Sequence, residues 1–149
     1  MRFGSKKVID KKTGITWDST TEYKYSLVIN ELKKNNKIYN LDRQVEHILI
    51  PSFKDSMGNS IRKMSYLSDF EYDDLETGKH VILDVKGSDF NIDPVFKIKW
   101  KLLKQQLQDN KNIQFKLIIK YKDVWYDLEN KEEKKKYKEV YSKRKKKTK

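Results

Sequence analysis

The stretch Lys79-His80-Val81-Ile82-Leu83-Asp84-Val85-Lys86 decides the fold of this chain. Its apolar residues at positions 81, 83 and 85 alternate with positions 82, 84 and 86, and this period of two predicts a β-strand. Residues two apart in an extended strand project to the same face. We therefore expect the carboxylate of Asp84 and the ammonium group of Lys86 to lie side by side at one edge of a sheet.

A hairpin partner for this strand is predicted directly upstream, over residues 64–73. The connection at residues 73–78 is short and acidic, which favours an antiparallel pair. Asp69 belongs to this upstream strand and is a candidate cross-strand neighbour of Asp84. An earlier period-two pattern predicts another strand over residues 41–50.

Two helices are predicted around these strands. The first begins at Ser19, because Ser19 followed three residues later by Glu22 fits a capping box. The second covers residues 93–110 and begins with an Asp-Pro pair, the residues favoured at the N-cap and the first helical position. A strand at residues 113–121 follows, and a crossover of this length predicts parallel pairing with the Asp84 strand.

The element order is therefore α-β-β-β-α-β, an α/β fold with a mixed sheet flanked by helices. With 149 residues, the chain has enough material for one domain, which we expect at residues 1–128. Residues 129–149 are expected to form a Lys-rich C-terminal helix or tail. The chain beyond residue 123 is expected to be helical or unstructured.

Positive charge is concentrated at the C-terminus. The chain has 34 Lys and Arg against 22 Asp and Glu, a formal net charge of +12. Residues 131–149 contain 11 of these cations and only 3 Glu. This segment would attract any polyanion without choosing among them, and its other interpretation is a solubilising tail.

The composition also limits the possible chemistry. There is no Cys and there are only two His, His47 and His80, which excludes disulfides and makes zinc improbable. Each His is interpreted as an ordinary strand residue. The carboxylates of Asp69 and Asp84 would repel each other unless a cation lay between them, so the expected metal is a hard ion, Mg²⁺ or Mn²⁺. No organic cofactor is expected.

The hydropathy pattern predicts no membrane partner. No apolar run approaches the length of a membrane span, and the first residues lack the apolar stretch of a signal peptide. We expect a soluble cytoplasmic protein.

Three segments together resemble the PD-(D/E)xK nuclease superfamily: residues 66–70 around Asp69, residues 83–87 around Asp84 and Lys86, and residues 17–22 with Glu22. The likeness covers roughly residues 15–122. The chain is most similar to phage-encoded endonucleases and Holliday-junction resolvases in its small size, its Gln44 and its basic C-terminus. The sequence departs from the motif at Ser68, where the motif name has Pro.

The resemblance implies a restriction-endonuclease-like core and a residue set for metal-dependent DNA hydrolysis. It implies that Asp69 and Asp84 bind the metal, with the Val85 carbonyl as a third oxygen, and that Lys86 is the catalytic lysine. Glu22 matches a helix glutamate that reaches the metal in resolvase-like members, although the capping box is an alternative role. Gln44 would be a polar residue near the site, or else a solvent-facing strand residue.

The expected substrate is DNA, in particular branched duplex in a bacterial host cell. A junction cutter makes two paired incisions, so a homodimer is expected. Candidate phosphate contacts are basic residues of the second helix, of the approach to the 64–73 strand and of the C-terminus: Lys97, Lys101, Lys104, Arg62, Lys63, Arg144 and Lys145. The alternatives are a non-catalytic nucleic-acid-binding protein, and an interaction protein whose basic tail docks on an acidic partner.

Overall fold

The computed structural model of the protein describes residues 8–9, 16–17, 19–87 and 92–147. The fold is mixed α/β, with a central sheet flanked by three helices. The helices are α1 Thr20–Lys34, α2 Pro94–Gln106 and α3 Lys131–Lys147. The strands are β1 Val8–Ile9, β2 Thr16–Trp17, β3 Ile38–Arg43, β4 Glu46–Ile50, β5 Phe53–Lys54, β6 Ser60–Ile61, β7 Met64–Leu67, β8 Phe70–Asp74, β9 His80–Lys86, β10 Ile113–Tyr121 and β11 Val124–Asp127.

Five of these strands form the central sheet, in the order β11-β10-β9-β8-β3. Strands β9 and β10 are parallel, with Asp84 opposite Leu117, and the other three pairs are antiparallel. The parallel pair confirms the prediction from the length of the crossover through α2. The sheet is therefore mixed, as expected.

Local capping explains where the first two helices begin. The Ser19 hydroxyl accepts a hydrogen bond of 3.0 Å from the Glu22 N–H, and the Asp93 carboxylate accepts one of 2.9 Å from Val95. Both side chains satisfy backbone donors that a first helical turn leaves unpaired. Both predicted N-caps are confirmed, and α2 ends at Gln106, four residues before the predicted end.

The sheet has an apolar core on each face. Helix α1 packs on one face, where Ile29 and Leu83 are fully buried. Helix α2 packs on the other, where Leu103 and Ile82 are buried. The alternation along β9 assigns Val81, Leu83 and Val85 to the α1 side, and so it assigns Asp84 to the α2 side.

The predicted strands at residues 41–50 and 64–73 are each wrong in one respect: both are broken in the middle. Strands β3 and β8 pair within the central sheet, whereas β4 and β7 form a separate two-stranded ladder. The first break is at Gln44, whose φ of 51° lies in the left-handed region. The second is at residues 68–69. The chain between the breaks, residues 45–68, is here called the hairpin arm.

The C-terminal region contains more structure than the sequence predicts. Strand β11 was not expected, yet it pairs antiparallel with β10 and places Tyr126 opposite Ile119. Both residues pack with Tyr137 of α3, which anchors the basic helix to the sheet. Strands β1 and β2 were not expected either, and they pair only with each other. None of the helices in the described ranges is long and apolar enough to span a membrane.

Candidate functional site

Two aspartates, Asp69 and Asp84, lie close together at the strand break of residues 68–69. Asp69 directly precedes β8, and its N–H donates to the Leu83 carbonyl at 3.1 Å. Its Oδ2 accepts a hydrogen bond of 2.7 Å from the Val85 N–H. These two bonds bracket Asp84 on β9, so Asp69 and Asp84 lie next to each other across the strand pair. The predicted cross-strand relation of the two residues is confirmed.

Asp84 is held on both carboxylate oxygens. Only 2 % of the residue is exposed, and its Oδ1 accepts a hydrogen bond of 2.9 Å from the Tyr66 hydroxyl. Its Oδ2 lies 2.8 Å from Lys86 Nζ, as the Asp-x-Lys spacing predicts. Lys86 Nζ also lies 4.0 Å from the centre of the Phe96 ring, a cation–π distance. The lysine is thus fixed between the carboxylate and helix α2.

The carboxyl groups of this site disfavour one another's charge. Burial raises the pKa of Asp69 well above its usual range, and the negative charges of Asp84 and Glu22 raise it further. Glu22 is buried on α1, and its Oε1 lies 3.7 Å from Arg43 Nη2. Its N–H donates to the capping hydroxyl of Ser19, while its carboxyl group lies close enough to raise the pKa of Asp69. The backbone and the side chain therefore have separate roles.

The donor set of the site is made of oxygens, which suits a hard divalent cation. Within the ranges that the structure describes, no three His, Asp or Glu side chains have the spacing of a metal site. Lys86 and Arg43 are the cations that lie against the carboxylates. The residues match Mg²⁺ or Mn²⁺ in chemical type, and binding would require the Lys86 ammonium to share Asp84 with the metal.

Gln44 and Val85 contact Asp69 through their backbones. The Gln44 N–H donates to the Asp69 carbonyl at 3.3 Å, and Gln44 is exposed at the base of the hairpin arm. Val85 is buried and donates its N–H to the Asp69 carboxylate, as described above. A metal contact of the Val85 carbonyl, and any role of the Gln44 amide, stay predictions.

Three of the four lysines of α2 lie on one surface. Lys97, Lys101 and Lys104 line a groove together with Ile98 and Trp100. Lys97 and Lys101 are exposed, whereas Lys104 forms an ion pair with Glu129. Lys97 and Lys101 are therefore the more accessible of the three to a phosphate backbone.

The other candidate phosphate contacts are dispersed. Arg62 and Lys63 lie on the hairpin arm, where Lys63 Nζ is 3.0 Å from Glu46 Oε1 and Arg62 is exposed. Arg144 and Lys145 belong to α3, but their side chains fall outside the described part of the chain. Within the described ranges, no contact joins these residues to the α2 lysines in a single basic patch.

Tyr66 is a site residue that the sequence did not indicate. It is 5 % exposed and packs against Phe96 and Trp100, with ring centroids 6.0 and 5.7 Å apart. Burial and the neighbouring Asp84 raise its pKa, so the hydroxyl keeps its proton and acts as a donor. The sequence shows only an aromatic residue three positions before Asp69, and an aromatic residue there is equally typical of an ordinary core position.

Both histidines lie on strands, as expected, but they also belong to a second polar cluster that the sequence did not indicate. The carboxylate of the buried Glu71 contacts His47 Nε2 through one oxygen and His80 Nε2, at 2.8 Å, through the other. The Ser68 hydroxyl also donates to Glu71, at 2.7 Å. The cluster thus joins the hairpin arm to strands β8 and β9 beside the Asp69 break.

His80 lies between two carboxylates in this cluster. Its Nε2 and Nδ1 face carboxylate oxygens of Glu71 and Asp73 at 2.8 and 2.9 Å, so both ring nitrogens act as donors. Burial by itself lowers the pKa of His80, but the hydrogen bonds to the two carboxylates outweigh it, and the pKa is raised above its usual value. The folded state therefore binds a proton more tightly than the unfolded chain.

This raised pKa predicts a pH-dependent loss of stability. The contribution of His80 is complete below its unfolded pKa of 6.5 and is lost as the pH rises through the folded value. We expect the urea midpoint to fall as the pH rises above 6.5, and to fall less in His80→Gln, which cannot titrate. Equal pH dependence in the two proteins would contradict the role assigned to His80.

The fold and the site together define a mixed α/β protein with a carboxylate and lysine cluster at the end of two neighbouring sheet strands. The chain belongs to the family described as "Protein of unknown function (DUF1064)", whose model matches residues 1–123. No curated protein matches the chain, and no solved structure does. The family match includes every residue of the cluster and ends before β11 and α3.

Proposed function

We propose that this protein is a metal-dependent endodeoxyribonuclease of the PD-(D/E)xK type, which hydrolyses phosphodiester bonds in branched DNA. The observation that carries the proposal is the meeting of Asp69, Asp84 and Lys86 at one end of β8 and β9. Two acids placed against a phosphate backbone only weaken binding, unless they serve a cation that takes part in the reaction. A protein that merely binds DNA gains nothing from this arrangement.

Asp69, Asp84 and the Val85 carbonyl would hold the metal, with Glu22 completing the oxygen set. A divalent cation bound there polarises a phosphoryl oxygen and lowers the pKa of water. The raised pKa of Asp69 supports this assignment, because crowded carboxylates are stabilised by a cation between them. Tyr66 donates to Asp84 Oδ1 and leaves Oδ2 as the oxygen that faces Lys86.

Lys86 would supply hydrogen-bond donors and positive charge to the reaction. Its Nζ has three N–H donors, which can orient an attacking water and neutralise charge that develops on the phosphate oxygens. The Phe96 ring below the ammonium group restricts where Nζ can move. A phosphate next to Asp84 would therefore meet a donor that is already positioned.

The duplex would lie across the α2 lysines. Lys97 and Lys101 are exposed one and two turns into the helix whose first turn carries Phe96, next to the Lys86 ammonium group. Phosphates that flank the cleaved bond would pair with these lysines, and the Lys-rich α3 would add affinity that does not depend on DNA sequence.

Specificity for Holliday junctions and a homodimeric state complete the proposal. Resolution of a four-way junction needs two paired incisions, and a symmetric dimer places two equal sites for them. The similarity to small phage-encoded resolvases supports this choice of substrate and the bacterial cytoplasm as the place of action.

The test is a cleavage assay with a labelled four-way junction and a linear duplex of matched sequence, in Mg²⁺, in Mn²⁺ and in EDTA. We expect symmetric nicks in the junction that require the metal. Cutting of both substrates would mean a nuclease without junction specificity. Binding of DNA without cutting in either metal would overturn the catalytic assignment and favour a nucleic-acid-binding protein.

A further inference from the structure

The hairpin arm, residues 45–68, extends from the site formed by Asp69, Asp84 and Lys86. Its base is closed by a hydrogen bond of 3.1 Å from the Ser68 N–H to the Val45 carbonyl, and Tyr66 joins it to Asp84. The arm continues through the β4–β7 ladder into the β5–β6 ladder and ends in a turn at residues 55–59. About nine residues per side give it a length of about 25–30 Å.

Among the residues that the structure describes, those that cover the arm lie on one of its faces. Tyr66 and Leu49 pack into the α2 core on that face. Six other large apolar side chains are exposed, among them Met57 at the turn by 82 % and Leu67 near the base by 54 %. The exposed set is Ile48, Ile50, Phe53, Met57, Ile61 and Leu67. A row of exposed apolar side chains on a two-stranded ribbon indicates a surface that binds something.

The basic residues of the arm outnumber its acidic residues by one, and Lys63 is paired with Glu46. The Asp55 carboxylate is held inside the turn by the N–H groups of Met57 and Asn59, both at 2.9 Å. Lys54 and Arg62 are exposed, and within the described ranges neither forms an ion pair. A symmetric contact between two copies would bring these cations together, whereas phosphates would neutralise them.

We infer that the hairpin arm binds the duplex beside the cleaved bond, with Lys54 and Arg62 on phosphates and Phe53 and Met57 against the bases in a groove. The inference rests on the proposed function, because DNA held at Asp84 lies at the base of the arm. From there the tip reaches about eight base pairs along the duplex. Exposed apolar side chains of this kind contact or wedge between bases when a ribbon enters a groove.

The experiment measures DNA affinity in EDTA by fluorescence anisotropy, so that cleavage does not interfere. The double variant Phe53→Ser/Met57→Ser is expected to bind the junction about tenfold more weakly. The double variant Lys54→Gln/Arg62→Gln is expected to reduce the slope of log K against log salt by about 1.8. The matched control is Leu75→Ser/Lys79→Gln, in the exposed turn at the opposite end of β8, and it should bind like the wild type.

Two results would overturn the inference. Arm variants that bind DNA as tightly as the wild type would show that the arm does not contact the duplex. Arm variants that turn a dimer into a monomer in sedimentation, with DNA affinity per protomer unchanged, would make the arm an interface between copies. Circular dichroism of each variant confirms folding, which exposed side chains should not disturb. Metal-dependent cleavage by the wild type decides the proposed function separately.

Discussion

Asp84→Asn is expected to abolish metal-dependent cleavage while the protein still binds DNA. The substitution keeps the shape of the side chain and the acceptor for the Tyr66 hydroxyl, but it removes the charge that would hold the metal. Loss of several kcal/mol of metal assistance, at about tenfold per 1.4 kcal/mol, corresponds to a rate reduced by about 10³-fold. The measurement is the single-turnover rate on the four-way junction with saturating protein in Mg²⁺.

The matched control is Asp42→Asn, which makes the same change on an exposed residue of β3. It should cut at the wild-type rate. Anisotropy in EDTA should give Asp84→Asn an affinity equal to or slightly higher than that of the wild type, because one negative charge near the phosphates is gone. If Asp84→Asn cut DNA at the wild-type rate, the site assignment would be wrong.

Lys86→Ala is expected to reduce the cleavage rate by about 10²–10³-fold, the effect of removing one positioned donor from a developing negative charge. The loss should appear in the rate at saturating protein and not in the affinity, since other lysines supply most of the binding. Removal of Lys86 also leaves the buried Asp84 Oδ2 without its ion-pair partner, so the urea midpoint should fall in metal-free buffer.

Lys101→Ala is the comparison variant for this experiment, because it removes an exposed lysine of α2 that does not contact Asp84. It should weaken binding a few-fold and leave the saturated rate unchanged. A Lys86→Ala protein with a normal saturated rate and weakened binding would make Lys86 one more phosphate contact. That result would exclude it as the catalytic lysine.

Local patterns were sufficient for the elements that hold the site. The caps at Ser19 and Asp93 depend on side chains that bond to backbone groups two or three residues away, so the sequence contains them completely. The pairing of Asp84 with Lys86 follows from the period of an extended strand. Parallel pairing of β9 with β10 follows from the length of the intervening chain.

The hairpin arm shows where such patterns stop being informative. Residues 41–50 and 64–73 were each predicted as one strand from a period of two, and such a period does not reveal which sheet a strand joins or where it changes direction. The left-handed φ of Gln44 and the break before Asp69 are held by contacts between distant segments, such as the Ser68 N–H with Val45. The break removes Tyr66 from the face of Phe70 and Tyr72 and directs it to Asp84.

The cluster around Glu71 depends on the tertiary structure for the same reason. His47, Glu71 and His80 are 24 and 9 residues apart along the chain, and no spacing rule relates them. Strand β11 escaped prediction because four residues after a tight turn have too little pattern to distinguish a strand from a loop.

The sequence by itself determined helices α1 and α2, the parallel pair of strands β9 and β10, the positions of the helix caps, the mixed sheet and the same-face placement of Asp84 and Lys86. Each of these depends on backbone geometry over a few residues or on the length of a connection. Only the tertiary structure decided that Tyr66 donates to Asp84, that the Glu22 carboxyl group lies close enough to raise the pKa of Asp69, and that an arm with exposed apolar side chains extends from the site. Those features arise from packing between segments far apart in the chain, whose free energy no local pattern records.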